Sequence, residues 1–586
     1  MKGKKIVSTL LALLLLASLP VSALAAEWDI SKGDITVNAG SGGQTVTQGG
    51  GAAVVDSAPV ITGSSQDNTL TIHAEKDQTA SVTLSGVNID VSGKDKAAVS
   101  TNGEGNVSIE LDGDSTLKSG EDHAGLEKNN GGKLTIADED KNGKLTAEGG
   151  YWGAGIGGGD EGNGNNIAIS GGEITAIGGV FGAGIGGGAG GNGNNITISG
   201  GEVTAIGGDS GAGIGGGCNG NGSDITISGG EVTAIGDGDG DGGAGIGGGY
   251  NGNGSDITIS GGEIKAIGGR GGAGIGGGLN GVDYNNGNGS DITISGGEVK
   301  AIGGIGGAGI GGGGCDGSGN NIAISSGVVT AIGGYNGAGI GGGEVSDGRG
   351  ITISGGEVKA IGGVSGAGIG GSWWGKGKDI TVSGAAKLKV QGGVEDDYGG
   401  VGAGIGDGSS NAEDGSFLGG SPVPGAEVEP DTSGLLTTGW IEYYAPGADM
   451  ETDDPIRITR GTLPPPEKPI EPSAERGMDA PLYRMTDRDG RDIAYTAERK
   501  DGVLTVTVDE DFAVLTGSLS GMTALRAQGV EKLVFVTKGA TSAFLLSDLL
   551  GKGESGESYW LTHDGKAVTF TLGESMTDVS AILTKP

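Results

Sequence analysis

The chain has 586 residues, of which 139 are glycine and only 14 are proline. Collagen needs glycine at every third position together with abundant proline, so this composition excludes a collagen triple helix. The formal net charge of −37 argues against nucleic-acid binding and against attachment to anionic lipid, because both need a basic surface. A disordered glycine-rich chain and a repeating fold are the two classes that this composition leaves open.

Residues 1–26 have the three parts of a secretory signal. Three lysines lie within 2–5, residues 6–19 are apolar, and 23–25 form an A-x-A cleavage site. The apolar stretch is too short for a stable membrane span. We therefore expect a protein that is secreted or associated with the cell surface, with no integral membrane segment after the signal is removed.

A glycine-rich motif repeats through the middle of the chain. Gly-Ala-Gly-Ile-Gly occurs nine times, and 29 residues is the commonest interval between successive copies. A fixed period of this length is typical of solenoids, propellers and arrays, whereas a disordered chain would not keep an isoleucine in register. The isoleucines of the motif are Ile156, Ile185, Ile214, Ile246, Ile275, Ile310, Ile340, Ile369 and Ile405.

Apolar residues within each repeat alternate with period two, which indicates strands. In one copy Ile225 and Ile227 lie two residues apart, and the same spacing recurs at 232–234 and 244–246. Three strands are too few for a propeller blade of ~40–45 residues, and no segment has the pattern of a helical repeat. The sequence therefore predicts an all-β fold, a parallel β-helix with about 29 residues and three short strands per coil.

We expect the β-helix to span 57–410, with 27–56 as its N-terminal cap. Glycine supplies the bends between strands, and proline, which would interrupt a strand ladder, is absent from 60–421. Cys218 and Cys315 fall three coils apart, or about 14 Å at ~4.8 Å per coil, and a disulfide needs Cα atoms within ~7 Å. Both cysteines are therefore expected to be free thiols.

A change in composition marks the end of the β-helix. Eleven of the 14 prolines lie in 422–481. We expect 411–481 to be a proline-rich linker whose apolar run 435–444 caps the open end of the β-helix. Residues 482–586 are predicted to form a small α+β domain that binds a protein or cell-wall partner. Its predicted elements are strands at 503–508, 532–537 and 566–571 and a helix at 542–550.

Parts of the sequence resemble a known group. The segments 28–36 and 117–126, together with the repeated GAGIGGG, resemble exported clostridial-type surface proteins. Their β-helical modules are similar to the carbohydrate-binding, calcium-containing right-handed parallel β-helices related to pectate lyases. The resemblance covers about 27–410 and implies a role associated with polysaccharide, an implication that rests on analogy of fold.

Acidic residues recur at two fixed positions of the repeat. In a β-helix one repeat position forms a column along the surface, so neighbouring carboxylates lie about 4.8 Å apart and need screening by solvent, counterions or divalent cations. Oxygen ligands of this kind suit Ca²⁺, which makes calcium a candidate cofactor. The alternative is a solvated acidic edge with an Asn/Asp ladder that caps turn backbone. The glutamate column comprises Glu173, Glu202, Glu231, Glu263, Glu298 and Glu357, and the Asx column comprises Asn166, Asn195, Asp224, Asp256, Asp291, Asn321 and Asp379.

Two further features are candidates for contact with a sugar polymer. One is a column of outward threonines, for which ordinary β-propensity on a solvated sheet is the alternative explanation. The other is a set of aromatic residues in the variable turns, where rings can stack on sugars and where loop packing or end capping is the alternative. The threonines are Thr197, Thr226, Thr258, Thr293, Thr352 and Thr381, and the aromatic residues are Tyr151, Trp152, Phe181, Tyr335, Trp373 and Trp374.

Catalysis has little support in the sequence. The three histidines have neither metal-site nor triad spacing, so no catalytic residue is assigned. An active site would be expected in an irregular coil, near 282–288 or 391–398. We favour a non-catalytic protein that binds polysaccharide, with calcium as a candidate cofactor. A polysaccharide lyase or hydrolase on the same scaffold and a structural or adhesive rod are the alternatives.

Overall fold

The fold is that of a computed structural model, which describes residues 26–238, 241–281, 287–394, 400–411, 422–461, 483–488, 493–500, 502–527, 529–553, 557–573 and 577–584. The chain divides into two compact units, Met1–Pro465 and Pro466–Pro586. Residues 1–25 of the predicted signal, and 282–286 and 395–398 of the two irregular segments, lie outside the described residues. No helix of the described residues is long and apolar enough to cross a membrane.

The first unit is a parallel β-solenoid with a repeat of about 29 residues, which confirms the predicted fold. Each coil contributes one strand to each of three faces, and equivalent residues pair in register, as Ile225 does with Ile196 and Ile257. The two strands Gly289–Ile302 and Gly319–Ile332 run without a break through the first and second faces.

The strand bounds of the three faces are as follows. The first face comprises Glu27–Asp29, Val60–Thr62, Thr79–Ser85, Asn106–Asp112, Leu134–Ala137, Ile167–Ile169, Gly193–Ile198, Gly222–Ile227, Gly254–Ile259, Gly348–Arg349, Thr352–Ile353, Gly377–Lys378 and Thr381–Val382. The second face comprises Ser64–Ser65, Asn88–Asp90, Asp114–Lys118, Lys144–Glu148, Glu173–Ile177, Glu202–Ile206, Glu231–Ile235, Glu263–Ile267, Glu357–Ile361, Lys387–Gln391, Trp440–Tyr444 and Arg457–Arg460. The third face comprises Val54–Val55, Gly43–Gln48, Ile35–Gly40, Leu70–Ala74, Val99–Gly103, Leu126–Lys128, Ile156–Gly157, Ile185–Gly186, Ile214–Gly215, Ile246–Gly247, Ile275–Gly276, Ile310–Gly311, Ile340–Gly341, Ile369–Gly370 and Ile405–Gly406.

The core of the solenoid is a set of apolar columns inside the coils. In one coil Ile225, Ile227, Val232, Ala234 and Ile246 are all fully buried. The residues between them point outward because successive side chains of a strand alternate between its two faces. The same columns continue from coil to coil as one apolar cluster.

Glycine in the third face is a steric requirement. Gly186, Gly215 and Gly247 have φ of +139°, +136° and +134°, a region that residues with a side chain rarely adopt. A Cβ placed on Gly215 would overlap the carbonyl oxygen of Gly247 in the next coil. Close stacking of these short strands therefore explains much of the glycine content.

Both ends of the solenoid carry additional structure. At the N-terminal end Glu27–Asp29 pairs in parallel with Val60–Thr62. Gly43–Gln48 is antiparallel to its two neighbours in the third face, Ile35–Gly40 and Val54–Val55. At the other end Trp440–Tyr444 pairs in parallel with Lys387–Gln391 and is covered by the antiparallel strand Arg457–Arg460. A short antiparallel pair, Ser410–Asn411 with Pro422–Val423, and a 3-10 turn at Ile30–Lys32 complete this unit.

The second unit combines two sheets and two short helices. The helices are Leu519–Ala527 and Leu546–Leu550. The helix predicted at 542–550 is wrong in its first half, because Thr541–Leu545 is a strand that buries Phe544 and pairs with Lys532–Val536. One sheet comprises Tyr483–Thr486, Phe512–Ser518, Ser558–Asp564, Ala567–Leu572 and Thr577–Asp578, the other comprises Thr496–Lys500, Val503–Thr507, Lys532–Val536 and Thr541–Leu545, and a 3-10 turn covers Ser580–Ile582.

Candidate functional site

The Asx column occupies a special backbone position in the first face. Asp224, Asp256 and Asp291 have φ of 53°, 54° and 54°, in the left-handed region. Asparagine, aspartate and glycine enter this region at the lowest cost, which explains why Asn and Asp alternate here. Gly350 fills the same position in a later coil with φ of 63°. Backbone conformation thus selects the residue class, while the choice of Asp over Asn sets the charge.

The Asx column and the threonine column line one groove. The groove encloses about 480 Å³ on the first face, and we call it the Asp–Thr groove. It runs across five coils, which at ~4.8 Å per coil is a length of about 19 Å. The two columns are separate in the sequence, and the structure brings them together along one edge of each strand. The lining residues are Asn195, Asp224, Thr226, Asp256, Thr258, Asp291, Thr293 and Asn321.

Three carboxylates lie side by side in the Asp–Thr groove. Asp224, Asp256 and Asp291 occupy successive coils, and within the described residues no Lys or Arg forms an ion pair with them. The column ends in an asparagine on each side, Asn195 and Asn321. Asn321 Nδ2 donates to Asp291 Oδ1 at 3.2 Å. Like charges about 5 Å apart repel by roughly 1 kcal/mol in water. The groove is therefore an acceptor-rich surface that attracts hydroxyl groups and cations.

The glutamate column lies on the second face and has a different electrostatic setting. Lys144 Nζ lies 2.6 Å from Glu173 at one end, and Lys387 Nζ lies 2.8 Å from Glu357 at the other. The contact with Glu173 raises the pKa of Lys144, and the contact with Lys387 lowers the pKa of Glu357. Val328 interrupts the column.

Lysines also stand beside the middle of the glutamate column. Lys265 and Lys300 share a second shallow groove of about 160 Å³ with Glu231, Glu263 and Glu298. An ammonium group close to these carboxylates competes with a metal ion for their oxygens. Among the described residues, no lysine or arginine lines the Asp–Thr groove, so it is the better of the two acidic surfaces for a calcium ion or a polar ligand.

Three of the candidate aromatic residues pack against one another. The rings of Trp152 and Phe181 stack across two successive coils at 4.6 Å between centroids and 15° between planes. Tyr151 meets both rings edge-on, at 4.9 Å and 5.4 Å. The stacked pair therefore covers one ring face of each residue, and Tyr151 is the exposed member of the cluster.

The other aromatic candidates lie in later coils. Trp373 and Trp374 are perpendicular, with centroids 6.1 Å apart. Trp373 N donates to Asn336 O at 3.3 Å, which places this turn beside the turn that holds Tyr335. Tyr335 and Trp374 are exposed, whereas Trp373 is half-buried.

An asparagine ladder that the sequence analysis missed holds the turn before the first face. Each side-chain Oδ1 accepts from the backbone N–H of the equivalent residue in the next coil, at 2.8 to 3.0 Å. The expected ladder in the Asx column is formed mainly here instead, which leaves the Asp side chains of the groove to face solvent. Recurrence of Asn at the repeat period was the available signal. The ladder comprises Asn163, Asn192, Asn221, Asn253 and Asn288 and ends on Ser318.

A polar cluster around the buried side chain of Glu127, in the third face, was also not predicted from the sequence. His123 Nδ1 lies 2.6 Å from Glu127 Oε2, and His123 Nε2 lies 3.3 Å from Asp95. The other oxygen of Glu127 accepts from Asn129 Nδ2 at 2.6 Å. Because both ring nitrogens and both carboxylate oxygens are engaged within the protein, this cluster fixes the local chain path.

One acidic trio within the described residues is compact enough to share a metal ion, with ligand oxygens within 4.8 Å of one another: Glu110, Asp138 and Asp140. Its oxygens already serve the adjoining loop. Asp138 accepts from the N–H groups of Asn142 and Gly143 at 3.2 and 3.1 Å, and Glu110 accepts from the N–H of Glu139 at 2.6 Å. These bonds give the trio a structural role.

The two cysteines are free, as predicted. Cys218 is half-buried and Cys315 is exposed. Partial burial raises the pKa of both thiols. A raised pKa lowers the thiolate fraction and with it the reactivity of the sulfur.

Comparison with known proteins bears on the repeat. A family model described as beta helix repeat matches eight segments, at 141–160, 167–189, 196–218, 225–250, 257–279, 292–314, 322–344 and 351–373. These eight segments are similar to the beta helix repeat. No curated protein matches the chain, and no solved structure does. The segment 225–250 runs from the first-face strand through the second and third faces, so one match corresponds to one coil of the solenoid.

Proposed function

We propose that this protein acts outside the cell and binds an extended polysaccharide along the Asp–Thr groove without catalysis. The observation that carries the proposal is the groove itself. One carboxylate or amide recurs there per coil over five coils, and a threonine hydroxyl accompanies each of the three carboxylates.

The spacing of these groups suits a linear sugar polymer. The coil-to-coil distance of ~4.8 Å is close to the rise per residue of an extended polysaccharide, so successive sugars would meet equivalent groups. Hydrogen bonds from sugar hydroxyls to ionised carboxylates are roughly twice as strong as bonds between neutral groups. Asp224, Asp256 and Asp291 would accept from the sugar, while Thr226 and Thr258 both donate and accept.

Calcium is the second part of the proposal. The carboxylates repel an acidic polysaccharide, so a uronate polymer would need a divalent cation between its carboxylates and those of the groove. Ca²⁺ accepts six to eight oxygen ligands in flexible geometry, which allows it to bridge protein, sugar and water. A neutral glycan would bind without the ion. Removal of calcium therefore distinguishes the two ligand classes.

The first experiment compares threonine variants that differ only in their place in the column. Thr226→Ala/Thr258→Ala/Thr293→Ala removes the hydroxyls of the groove, and Thr381→Ala removes one from the same column outside it. Alanine is already present at this position in Ala168 and Ala323, so the fold tolerates it. Glycan-array and pull-down binding should fall at least tenfold in the triple variant and stay unchanged in Thr381→Ala.

A second set of variants tests the charge. Asp224→Asn/Asp256→Asn/Asp291→Asn keeps a residue that enters the left-handed region, as Asn195 does in the same column. Binding of an acidic glycan should lose its calcium dependence in this variant, with Asp379→Asn as the control outside the groove. The proposal fails if no neutral or acidic glycan binds the unmodified protein, either with calcium or with EDTA.

A further inference from the structure

An exposed apolar stripe runs along the corner between the second and third faces. It consists of Ile305, Tyr335, Val364 and Val394, one residue from each of four successive coils, and we call it the corner stripe. Ile305 is 60% exposed, Tyr335 40% and Val394 41%, whereas Val364 is half-buried between Tyr335 and Val394. Apolar residues that are exposed singly are ordinary, whereas a group of exposed apolar residues in one row marks an interaction surface.

Backbone hydrogen bonds hold the stripe in register. Gly306 N donates to Tyr335 O at 2.7 Å, Asn336 N donates to Val364 O at 3.0 Å, and Ser365 N donates to Val394 O at 3.3 Å. Each donor is the residue directly after a stripe residue, and its acceptor is the carbonyl of the stripe residue in the next coil. The four side chains therefore follow the coil spacing of ~4.8 Å in one line of about 14 Å.

The stripe is wider than one residue near its middle. Val345 and Trp374 lie in the neighbouring turns after the third face, and both are exposed. Glu344 N donates to Gly306 O at 2.7 Å, which joins those turns to the corner that carries the stripe. The apolar surface is thus two residues wide at these two turns.

Opposite charges lie at the two ends of the stripe. Arg270 occupies the same corner one coil before Ile305, because Gly269 and Gly304, the residues just before them, stack directly. Arg270 is exposed, and no carboxylate of the described residues forms an ion pair with it.

The other end of the stripe is acidic. The turn after Trp440–Tyr444 packs over Val394, and Gln391 Nε2 fixes it by donating to Ala445 O at 2.6 Å and to Ala448 O at 2.8 Å. This turn continues into the exposed carboxylates Asp449, Asp453 and Asp454.

We propose that the corner stripe is the docking surface for a second copy of this chain, in an antiparallel arrangement with twofold symmetry. A twofold axis between Tyr335 and Val364 would place Ile305 opposite Val394 of the second copy. The same operation would bring Arg270 to the acidic turn, because each lies one coil beyond an end of the stripe. Such an interface is self-complementary, as twofold symmetry requires, and it pairs apolar with apolar and basic with acidic residues.

The occupant is a second copy and not a sugar polymer because of the symmetry of the surface. A polysaccharide built of identical sugars carries the same charge along its whole length, so it does not complement a basic residue at one end and an acidic turn at the other. The Asp–Thr groove lies on the first face, so this interface leaves it free. The inference therefore does not depend on the proposed function.

The first test measures the association state of the chain without its predicted signal. Sedimentation velocity and light scattering over a range of concentrations should show a monomer–dimer equilibrium. Ile305→Asp and Val394→Asp should each raise the dimer dissociation constant at least about tenfold, because each substitution occurs twice in the interface. Val328→Glu is the matched control, since it replaces an exposed apolar residue of the second face with the residue that neighbouring coils carry. It should leave the dissociation constant unchanged.

The second test examines the antiparallel arrangement by charge reversal. Arg270→Glu alone and Asp454→Arg alone should each weaken their own dimer, because each variant places like charges together. A mixture of the two variants should form a mixed dimer, in which both contacts again join opposite charges. The circular dichroism spectrum and melting temperature of every variant should match those of the unmodified chain, which separates loss of docking from loss of folding.

Several results would overturn the proposal. One is a monomer at every concentration, and another is a dimer that Ile305→Asp leaves intact. A dimer in which the two charge variants show no preference for each other would refute the antiparallel arrangement. Loss of glycan binding in Ile305→Asp, with a monomeric unmodified chain, would assign the stripe to a sugar ligand instead.

Discussion

Lys128 offers a sharp test of how the interior of the solenoid is organised. It follows Leu126 by two residues in the same third-face strand, so it points to the interior, and only 5% of it is exposed. Its Nζ donates to Asn130 O at 2.7 Å. Burial lowers the pKa of Lys128 from 10.5 to about 8. The folded protein therefore holds a charged group that would be better solvated in the unfolded chain.

The cost of that burial follows from the pKa. The lowering of the pKa from 10.5 to about 8 corresponds to about 3 kcal/mol of lost stability where the folded and the unfolded chain both carry the proton, that is, below about pH 8. The loss diminishes as the pH rises from 8 to 10.5, because the folded state then releases the proton first. Lys128→Met removes this cost. It also leaves the carbonyl of Asn130 without its donor, which lowers the free energy of unfolding by about 1–3 kcal/mol and offsets part of the gain.

The pH dependence separates the two effects. The stability of the unmodified chain relative to Lys128→Met should rise by about 2–3 kcal/mol between pH 7 and pH 10. Guanidinium unfolding followed by circular dichroism at both pH values measures this difference. Lys133→Met, at an exposed position of the following strand region, is the control and should show no such change. A Lys128→Met variant with the same pH profile as the unmodified chain would refute an interior, desolvated lysine.

Three further predictions concern parts of the structure that repeat or titrate. Gly215→Ala should lower the free energy of unfolding by several kcal/mol and reduce the melting temperature, because φ is +136° and a Cβ would overlap the next coil, whereas Gly42→Ala, which meets nothing within 4 Å, should be nearly neutral. Asn221→Ala removes the acceptor for the N–H of Asn253 and should lower the free energy of unfolding by about 1–2 kcal/mol, which a thermal melt measures. An unchanged melting temperature would show that the asparagine ladder does not stabilise the solenoid. His563 is fully buried, and burial lowers its pKa to about 4, so the second unit should lose up to about 3 kcal/mol as the pH falls from 6.5 to 4. Hydrogen exchange of the second unit should show this loss, and His563→Phe should abolish it.

Much of the fold could be predicted from the sequence because a solenoid repeats its local rules. The spacing of Ile225 and Ile227 indicates a strand, and its recurrence at the repeat period requires parallel stacking. Long-range pairing thus becomes visible as a periodicity. In the second unit no repeat exists, and local pattern alone placed a helix at 542–550 where Phe544 instead completes a buried sheet.

The candidate site was harder to predict because it depends on how side chains from different columns meet. The sequence places Asp224 and Thr226 in separate columns, and the groove that joins them follows from the left-handed backbone at Asp224. The stacking of Trp152 on Phe181 likewise depends on the shapes of two turns. Asn221 could have been recognised as a ladder residue from its recurrence, but recurrence alone does not show which backbone N–H its side chain accepts from.

The most direct test of the central claim is to locate a bound glycan on the solenoid. Hydrogen–deuterium exchange with and without a polysaccharide that binds the protein should show protection in the first-face strands Gly222–Ile227, Gly254–Ile259 and Gly289–Ile302. Exchange in the third-face strands should stay unchanged, and the Thr226→Ala/Thr258→Ala/Thr293→Ala variant should lose the protection. Protection confined to the third face or to the second unit, with none along the Asp–Thr groove, would contradict the account.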